Sequence, residues 1–358
     1  MKIKNLALAC IIAAASASCA SAGASDYTVT FPVGEEYDDT MGYILNYDSG
    51  AKIDSVIVAD GAVKFSGNID EPILARLTVD GNRGPVFILE KGDIVINEKG
   101  DAAGTPLNER MNSYGEKLSA IMAEANSLPE DSSSIARMAE LEKEYYAIPE
   151  LALKENADNP IGLYFFLQQA YQMNLAELDA AVAANPMLGK SKRVEALRTA
   201  LLAEAETSEG KMFKDFAVTY DGKTELLSDY VGKGKYVLVD FWASWCGPCK
   251  REIVTLKKIL EEFGPKGLEI LGVAVWDEPA NTLKAIEQEQ IPWHSMIDAQ
   301  TIPTDIYGIS GIPCIILFGP DGKILSRGLQ GQNLINSVAA AMASAAADGV
   351  TAPAEVSE

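Results

Sequence analysis

The sequence predicts three consecutive bodies: a small all-β domain, a helical connector, and an α/β domain whose mixed sheet is flanked by helices. Three observations carry this. Apolar and polar residues alternate in short runs to about residue 100. Apolar residues then recur every three or four positions to about residue 207. From Lys211 onward, strand-like and helix-like runs alternate. The chain has 358 residues, 48% of them hydrophobic and 23% charged, which fits a globular protein of two or three domains.

Residues 1–24 read as an export signal. Lys2 and Lys4 precede an apolar run at 6–17 that is too short for a permanent membrane span. Ala20-Ser21-Ala22 and Ala22-Gly23-Ala24 both fit a signal-cleavage site. Cys19 offers a second route, cleavage just before a cysteine that is then acylated, although the usual Leu three positions earlier is Ser16. Either route takes the protein out of the cytoplasm, to the periplasm or cell envelope of a Gram-negative bacterium, as a soluble protein or as a lipoprotein. Disulfide chemistry is permitted there.

Residues 25–104 are expected to form an antiparallel β-sandwich-like domain. Strand-like runs fall at 27–33, 41–47, 53–58, 63–66, 73–79, 86–89 and 94–97, and Asp60-Gly61 and Asp80-Gly81 are hairpin turns. The segment holds no His and no Cys, so a binding or spacer role is expected of it. In the connector, 105–207, Leu107, Met111, Tyr114, Leu118 and Ile121 make one stripe, and Ile135, Met138, Leu141, Tyr145 and Ile148 another. Asn159-Pro160 and Asn185-Pro186 punctuate further helices, and Ser191 is a candidate N-cap. The run Tyr164-Phe165-Phe166 reads as core packing.

The last domain is expected over 208–347. It has a buried strand at 235–241 and a helix at 249–263, in which Ile253, Leu256, Leu260 and Phe263 share a face. A strand at 268–276 and a helix at 278–290 follow. A hairpin of 315–318 and 324–327 turns at Asp321-Gly322, and a final helix covers 333–345. Residues 348–358 are expected to be a disordered tail.

Composition excludes several functions. With 30 basic and 51 acidic residues the formal charge is -21, which repels nucleic acid and anionic lipid. His294 is the sole histidine, so no site can use two imidazoles. If the signal ends after Cys19, Cys246, Cys249 and Cys314 are the remaining thiols, too few for a structural disulfide framework.

The chemistry is concentrated at 239–250, Val-Asp-Phe-Trp-Ala-Ser-Trp-Cys-Gly-Pro-Cys-Lys. A buried strand leads into a Cys-x-x-Cys that opens a helix. Cysteines at that spacing close a disulfide with little backbone movement. The first lies at the positive end of the helix dipole, near unpaired N–H groups, which stabilises its thiolate. Cys246 is therefore the expected nucleophile and Cys249, one turn deeper, the resolving thiol. Pro248 falls in the first helical turn, where a missing N–H costs nothing. A zinc site would need two further ligands, which Cys314 and one distant His do not supply. No metal and no cofactor are expected beyond the Cys246–Cys249 pair itself.

The 239–250 segment resembles the active-site signature of the thioredoxin superfamily, and Gly311-Ile312-Pro313 resembles that family's second signature. The segments 213–216 and 226–230 look like the exported TlpA-like and ResA-like branch, related to the AhpC/TSA proteins. The resemblance covers about 211–347. It implies a thioredoxin-like fold and a thiol-disulfide oxidoreductase, with an N-terminal β domain of unknown function placed ahead of it. It assigns Asp240 as the buried acid that moves protons for Cys249, and Pro313 as a cis proline beside the cysteines. Trp245, Gly247, Pro248, Ile312 and Cys314 would border the substrate. Gly247-Pro248 resembles the dipeptide of the reducing members. The implied partners are disulfide-containing proteins of the cell envelope and a membrane-borne electron donor. A lipid anchor at Cys19 and a homodimer also stand as expectations.

Cys314 departs from the pattern, because the family usually has a non-thiol residue after the cis proline. It reads either as a small buried residue or as a third redox thiol. Two other functions compete with the oxidoreductase. A peroxiredoxin-like peroxidase needs Thr three residues before its reactive Cys, and Ala243 stands there. A non-catalytic adaptor on a thioredoxin scaffold would have no need of both cysteines.

Overall fold

The computed structural model describes residues 25–347 and divides the chain into two compact units, residues 1–169 and 170–358. The expected signal segment with Cys19, and the expected tail, lie outside the described residues.

The first unit begins with β1 (Tyr27–Pro32), β2 (Met41–Asn46), β3 (Lys52–Ile57), β4 (Ala62–Gly67), β5 (Ile73–Val79), β6 (Asn82–Leu89), β7 (Gly92–Ile96) and the short β8 (Ala102–Ala103). They form two four-stranded sheets, ordered β4-β1-β7-β8 and β3-β2-β5-β6. Alternate residues such as Val29, Phe65, Ile44 and Leu77 fill one core shared by both sheets. Asp60, Gly61, Asp80 and Gly81 all have positive φ, as two-residue hairpin turns require. One pairing departs from the expected antiparallel pattern: β1 and β7 run parallel. The whole second sheet separates them in sequence, so no hairpin dictates their direction.

Three helices complete this unit: α1 (Pro106–Ser127), α2 (Ile135–Glu155) and α3 (Pro160–Ala170), the last ending at the boundary. Tyr114, Ile148, Ala152, Ile161 and Phe165 pack on Leu74 and Ile88, the outward face of the second sheet. The Asn108 side chain fixes α1 to β6, accepting from the Ile88 N–H at 2.9 Å and donating to the Ile88 carbonyl at 2.7 Å.

The second unit opens with α4 (Leu175–Ala184) and α5 (Lys192–Glu206), so the helices read as one connector are shared between the units. Ser191 caps α5, its hydroxyl accepting from the Val194 N–H at 3.2 Å. A separate hairpin follows, β9 (Ala217–Tyr220) and β10 (Lys223–Leu226). Then come β11 (Tyr236–Trp242), α6 (Gly247–Phe263), β12 (Leu268–Ala274), α7 (Pro279–Gln288), β13 (Ser295–Met296), α8 (Ile302–Tyr307), β14 (Cys314–Phe318), β15 (Ile324–Arg327) and α9 (Gly331–Ala347). The main sheet has the order β13-β12-β11-β14-β15. β11, β12 and β13 are parallel, whereas β14 and β15 are antiparallel to their neighbours. This is the expected mixed sheet with helices on both faces, a thioredoxin-like fold.

Period-two alternation along β11 divides the core. Val237, Val239 and Phe241 enter one cluster with Phe216, Val273 and Tyr307. Leu238 and Trp242 enter the other with Ile253, Leu256, Phe263, Leu334 and Val338, which belong to α6 and α9. Asp240, between Leu238 and Trp242 in the alternation, therefore lies on the α6 face.

Candidate active site

The chain leaves β11 at Trp242 and enters α6 at Gly247, so a four-residue turn carries the reactive positions. Cys246 is the N-cap of α6, with extended backbone (φ -82°, ψ 98°). Its Sγ occupies the place usually taken by a hydroxyl or carboxylate oxygen and accepts from the Cys249 N–H at 3.1 Å. Gly247 and Pro248 form the first helical positions, where neither needs to donate to the helix ladder. Cys246 and Cys249 are joined as a disulfide, with Cα atoms 5.3 Å apart. Both are buried. In the dithiol the same N–H and the same helix end face the Cys246 sulfur, and both favour its anion.

The Ile312-Pro313 bond is cis. The Ile312 carbonyl oxygen lies 3.8 Å from Cys246 Sγ. The Ile312 carbonyl, on the N-terminal side of the cis bond to Pro313, thus stands beside the sulfur. Trp245 is 61% exposed, and its Nε1 donates to the Trp276 carbonyl at 2.9 Å, which fixes the ring next to Cys246. Trp242 is wholly buried beneath the site.

Sequence reasoning missed the loop that holds this turn. Trp276 has φ +54°, a left-handed conformation that is costly for a bulky residue. Next to it, the buried Asp277 carboxylate accepts from the Ser244 N–H at 2.7 Å and the Ser244 hydroxyl at 2.8 Å. It also accepts from the Glu278 N–H at 3.0 Å and the Thr282 hydroxyl at 2.7 Å. The β12–α7 loop therefore grips Ser244 and Trp245, the two residues before Cys246. An Asp ahead of a helix looks like an ordinary cap, so no sequence signal separates it.

Asp240 is almost completely buried, and among the described residues its Oδ1 has no hydrogen-bond partner. Desolvation, with a smaller push from the Glu252 charge, raises its pKa to about 8. Glu252 is a second residue that sequence reasoning missed. It is buried on α6 one turn after Cys249, and its Oε1 accepts from the Gly331 N–H at 2.8 Å at the start of α9. The motif would have shown it had the spacing been followed one helical turn further.

Cys314 is brought near the strand but not to the dithiol. It pairs with Phe241 in register and packs with Val239, Phe241 and Tyr307 in the cluster that excludes Cys246 and Cys249. Burial pushes its thiol up to about 11. His294 also stands apart, its Nε2 3.0 Å from Glu225 and its ring stacked on Tyr230. Among the described residues no cluster of His, Cys, Asp or Glu could hold a metal ion, and no helix is long and apolar enough to cross a membrane.

Comparison with known proteins agrees with this geometry. Residues 210–327 match the AhpC/TSA family, and residues 27–111 match a domain of unknown function, DUF4369. Residues 210–327 thus carry a thioredoxin-like domain of the AhpC/TSA type, similar there to ResA-like thiol-disulfide oxidoreductases, and residues 27–111 a domain similar to DUF4369. Thiol-disulfide oxidoreductase ResA of Geobacillus thermodenitrificans is 32% identical over 116 residues, which is 32% of this chain and 66% of that protein. ResA of Bacillus subtilis is 30% identical over 119 residues, 33% of this chain and 65% of that protein. The chain thus spans slightly less than two thirds of these relatives. A solved thioredoxin domain of a Bacteroides vulgatus thiol-disulfide oxidoreductase is 34% identical, covering 37% of this chain and 96% of that one, with a TM-score of 0.34.

Proposed function

We propose that this protein is an exported thiol-disulfide oxidoreductase that reduces disulfides in proteins of the cell envelope. The observation that carries the reading is Cys246 as the N-cap of α6, its sulfur receiving the Cys249 N–H and joined to Cys249 itself. In the dithiol, the Cys246 thiolate attacks one sulfur of a substrate disulfide. The substrate S–S bond breaks, and its departing thiolate takes a proton from solvent. Asp240 accepts the Cys249 proton. The Cys249 thiolate then attacks the Cys246 sulfur, which closes the Cys246–Cys249 disulfide and expels the second substrate sulfur as a thiolate that takes up a proton from solvent, while Asp240 returns its proton to solvent. Two electrons have passed to the substrate, and a membrane-borne dithiol donor restores the enzyme.

Ile312 and Pro313 expose backbone beside Cys246, where an extended substrate can add as a strand, and Trp245 gives it an apolar surface. The reducing direction rests on Gly247-Pro248, and export rests on residues 1–24. The experiment is trapping. Cys249→Ser is expected to hold envelope proteins as mixed disulfides on Cys246, released by dithiothreitol, while Cys246→Ser holds none. Equal trapping by both variants, or none by either, contradicts the reading.

A further inference from the structure

The helices α1 and α2 rest on the second sheet at one end and leave it at the other. Leu107, Met111, Leu118 and Ile121 of α1, with Ile148 and Ala152 of α2, pack with Leu74 and Ile88. No residue of 122–147 joins either core cluster of this unit. Apolar residues nevertheless continue through that segment. Met122, Ile135, Met138 and Tyr146 are 48%, 67%, 43% and 65% exposed. All four line one groove of about 1160 Å³, formed by the two helices and the turn that joins them. Single exposed apolar residues need no cause, but several on one concave surface mark an interaction site. The volume exceeds the roughly 300–1,000 Å³ of small-molecule pockets and suits a segment of polypeptide.

Charge decides which segment fits. Glu130, Asp131 and Glu142 also line the groove, and no Lys, Arg or His does so among the described residues. Arg137 of α2 is taken up elsewhere, by Glu124, Glu140 and Glu144. We propose that the α1–α2 groove docks a cationic amphipathic helix of another protein. Its apolar stripe would lie on Met122, Ile135, Met138 and Tyr146, and its Lys or Arg side chains on the three carboxylates. Helices dock in such grooves through anchors at i, i+3, i+4 and i+7, and flexible Met side chains adapt to them. A second copy of the chain is the poorer occupant, because a two-fold contact would set the same carboxylates in one interface. Residues 348–358 bring three more carboxylates and no base, so they do not complement the groove either. The docking is independent of disulfide exchange, whose cysteines lie in the other unit.

The test uses the full chain and a fluorescent synthetic helix of about 18 residues, with Leu along one face and Lys on the other. Fluorescence anisotropy should show saturable binding. A peptide of the same composition with its Leu residues scattered around the helix should bind about tenfold more weakly or worse, and so should one with Glu for every Lys. Glu130→Gln with Glu142→Gln should weaken the Lys peptide by about tenfold, and so should Ile135→Asn with Met138→Gln. All four positions are exposed, so both double variants should fold, which circular dichroism checks. Binding that ignores either pair of substitutions, or that the scattered or the Glu peptide matches, overturns the proposal. So does a dimer in sedimentation that Ile135→Asn with Met138→Gln dissolves, since a second copy then occupies the groove.

Discussion

A carboxyl group sealed between a sheet and a helix pays heavily to ionise, and Asp240 is such a group. Its pKa rises from 3.8 to about 8 on folding, mainly through desolvation. The folded protein therefore keeps this proton where the unfolded chain loses it. The stabilisation from Asp240 is complete below 3.8 and is lost as pH rises through about 8. Asp240→Asn cannot ionise and escapes that loss. We expect the variant to be more stable than wild type above the folded pKa, by about 2–5 kcal/mol, since each pH unit between the unfolded and folded values is worth roughly 1.4 kcal/mol. The advantage should vanish toward pH 4, about the unfolded carboxyl's value. Urea denaturation at both pH values checks this. On the proposed mechanism the same variant should resolve mixed disulfides more slowly, since Asp240 is there the proton acceptor for Cys249. At this scale the type and spacing of Cys246 and Cys249 were legible in the sequence itself, whereas Asp240 and Pro313 entered through the family resemblance. The sequence was silent about Asp277, because acidic residues are common and only the fold reveals which one is buried against the reactive turn, whereas Glu252 was within reach of the helical spacing from Cys249.

Between elements, the decisive join is the β11–α6 turn gripped by the β12–α7 loop. Ser244→Ala removes one hydrogen bond to Asp277 and should lower stability by about 1 kcal/mol, whereas Ser244→Thr keeps the hydroxyl and should behave as wild type. Thermal melts of the two variants make the comparison. A second join lies where α5 meets α8. Arg327 on β15 donates to Thr207 Oγ1 at 2.9 Å and to the Tyr307 carbonyl at 2.6 Å, linking the ends of both helices. Gly308, with φ +61°, closes α8 where a Cβ would come within 2.2 Å of the Ala200 carbonyl oxygen. Gly308→Ala should cost about 2–4 kcal/mol, read by urea denaturation. The long helices and buried strands were legible because their periodicity runs over many residues. β13, with two residues, and α8, with six and a proline, are too short to show a period. An amphipathic stripe also does not say what it packs against, so the sharing of five helices between two units could not be read in advance.

At the level of the whole chain, the Cys246–Cys249 disulfide lies within residues 170–358, and the sandwich unit has a core of its own. The two should therefore respond separately to damage. Asn108→Ala leaves the Ile88 N–H and carbonyl without their buried partner, at a cost of about 2–4 kcal/mol. Calorimetry should show one transition lowered and the other unmoved, with thiol exchange retained at a temperature below both. The formal charge of -21 disfavours association with nucleic acid.

The proposed exchange requires the end of α6 to favour the Cys246 thiolate in the reduced protein. The most direct measurement is the rate of Cys246 alkylation by iodoacetamide in the fully reduced protein as a function of pH. A half-maximal rate is expected at pH about 7 or below, with the reaction lost in Cys246→Ser. A midpoint at or above the ordinary thiol value of about 8.5 would contradict this.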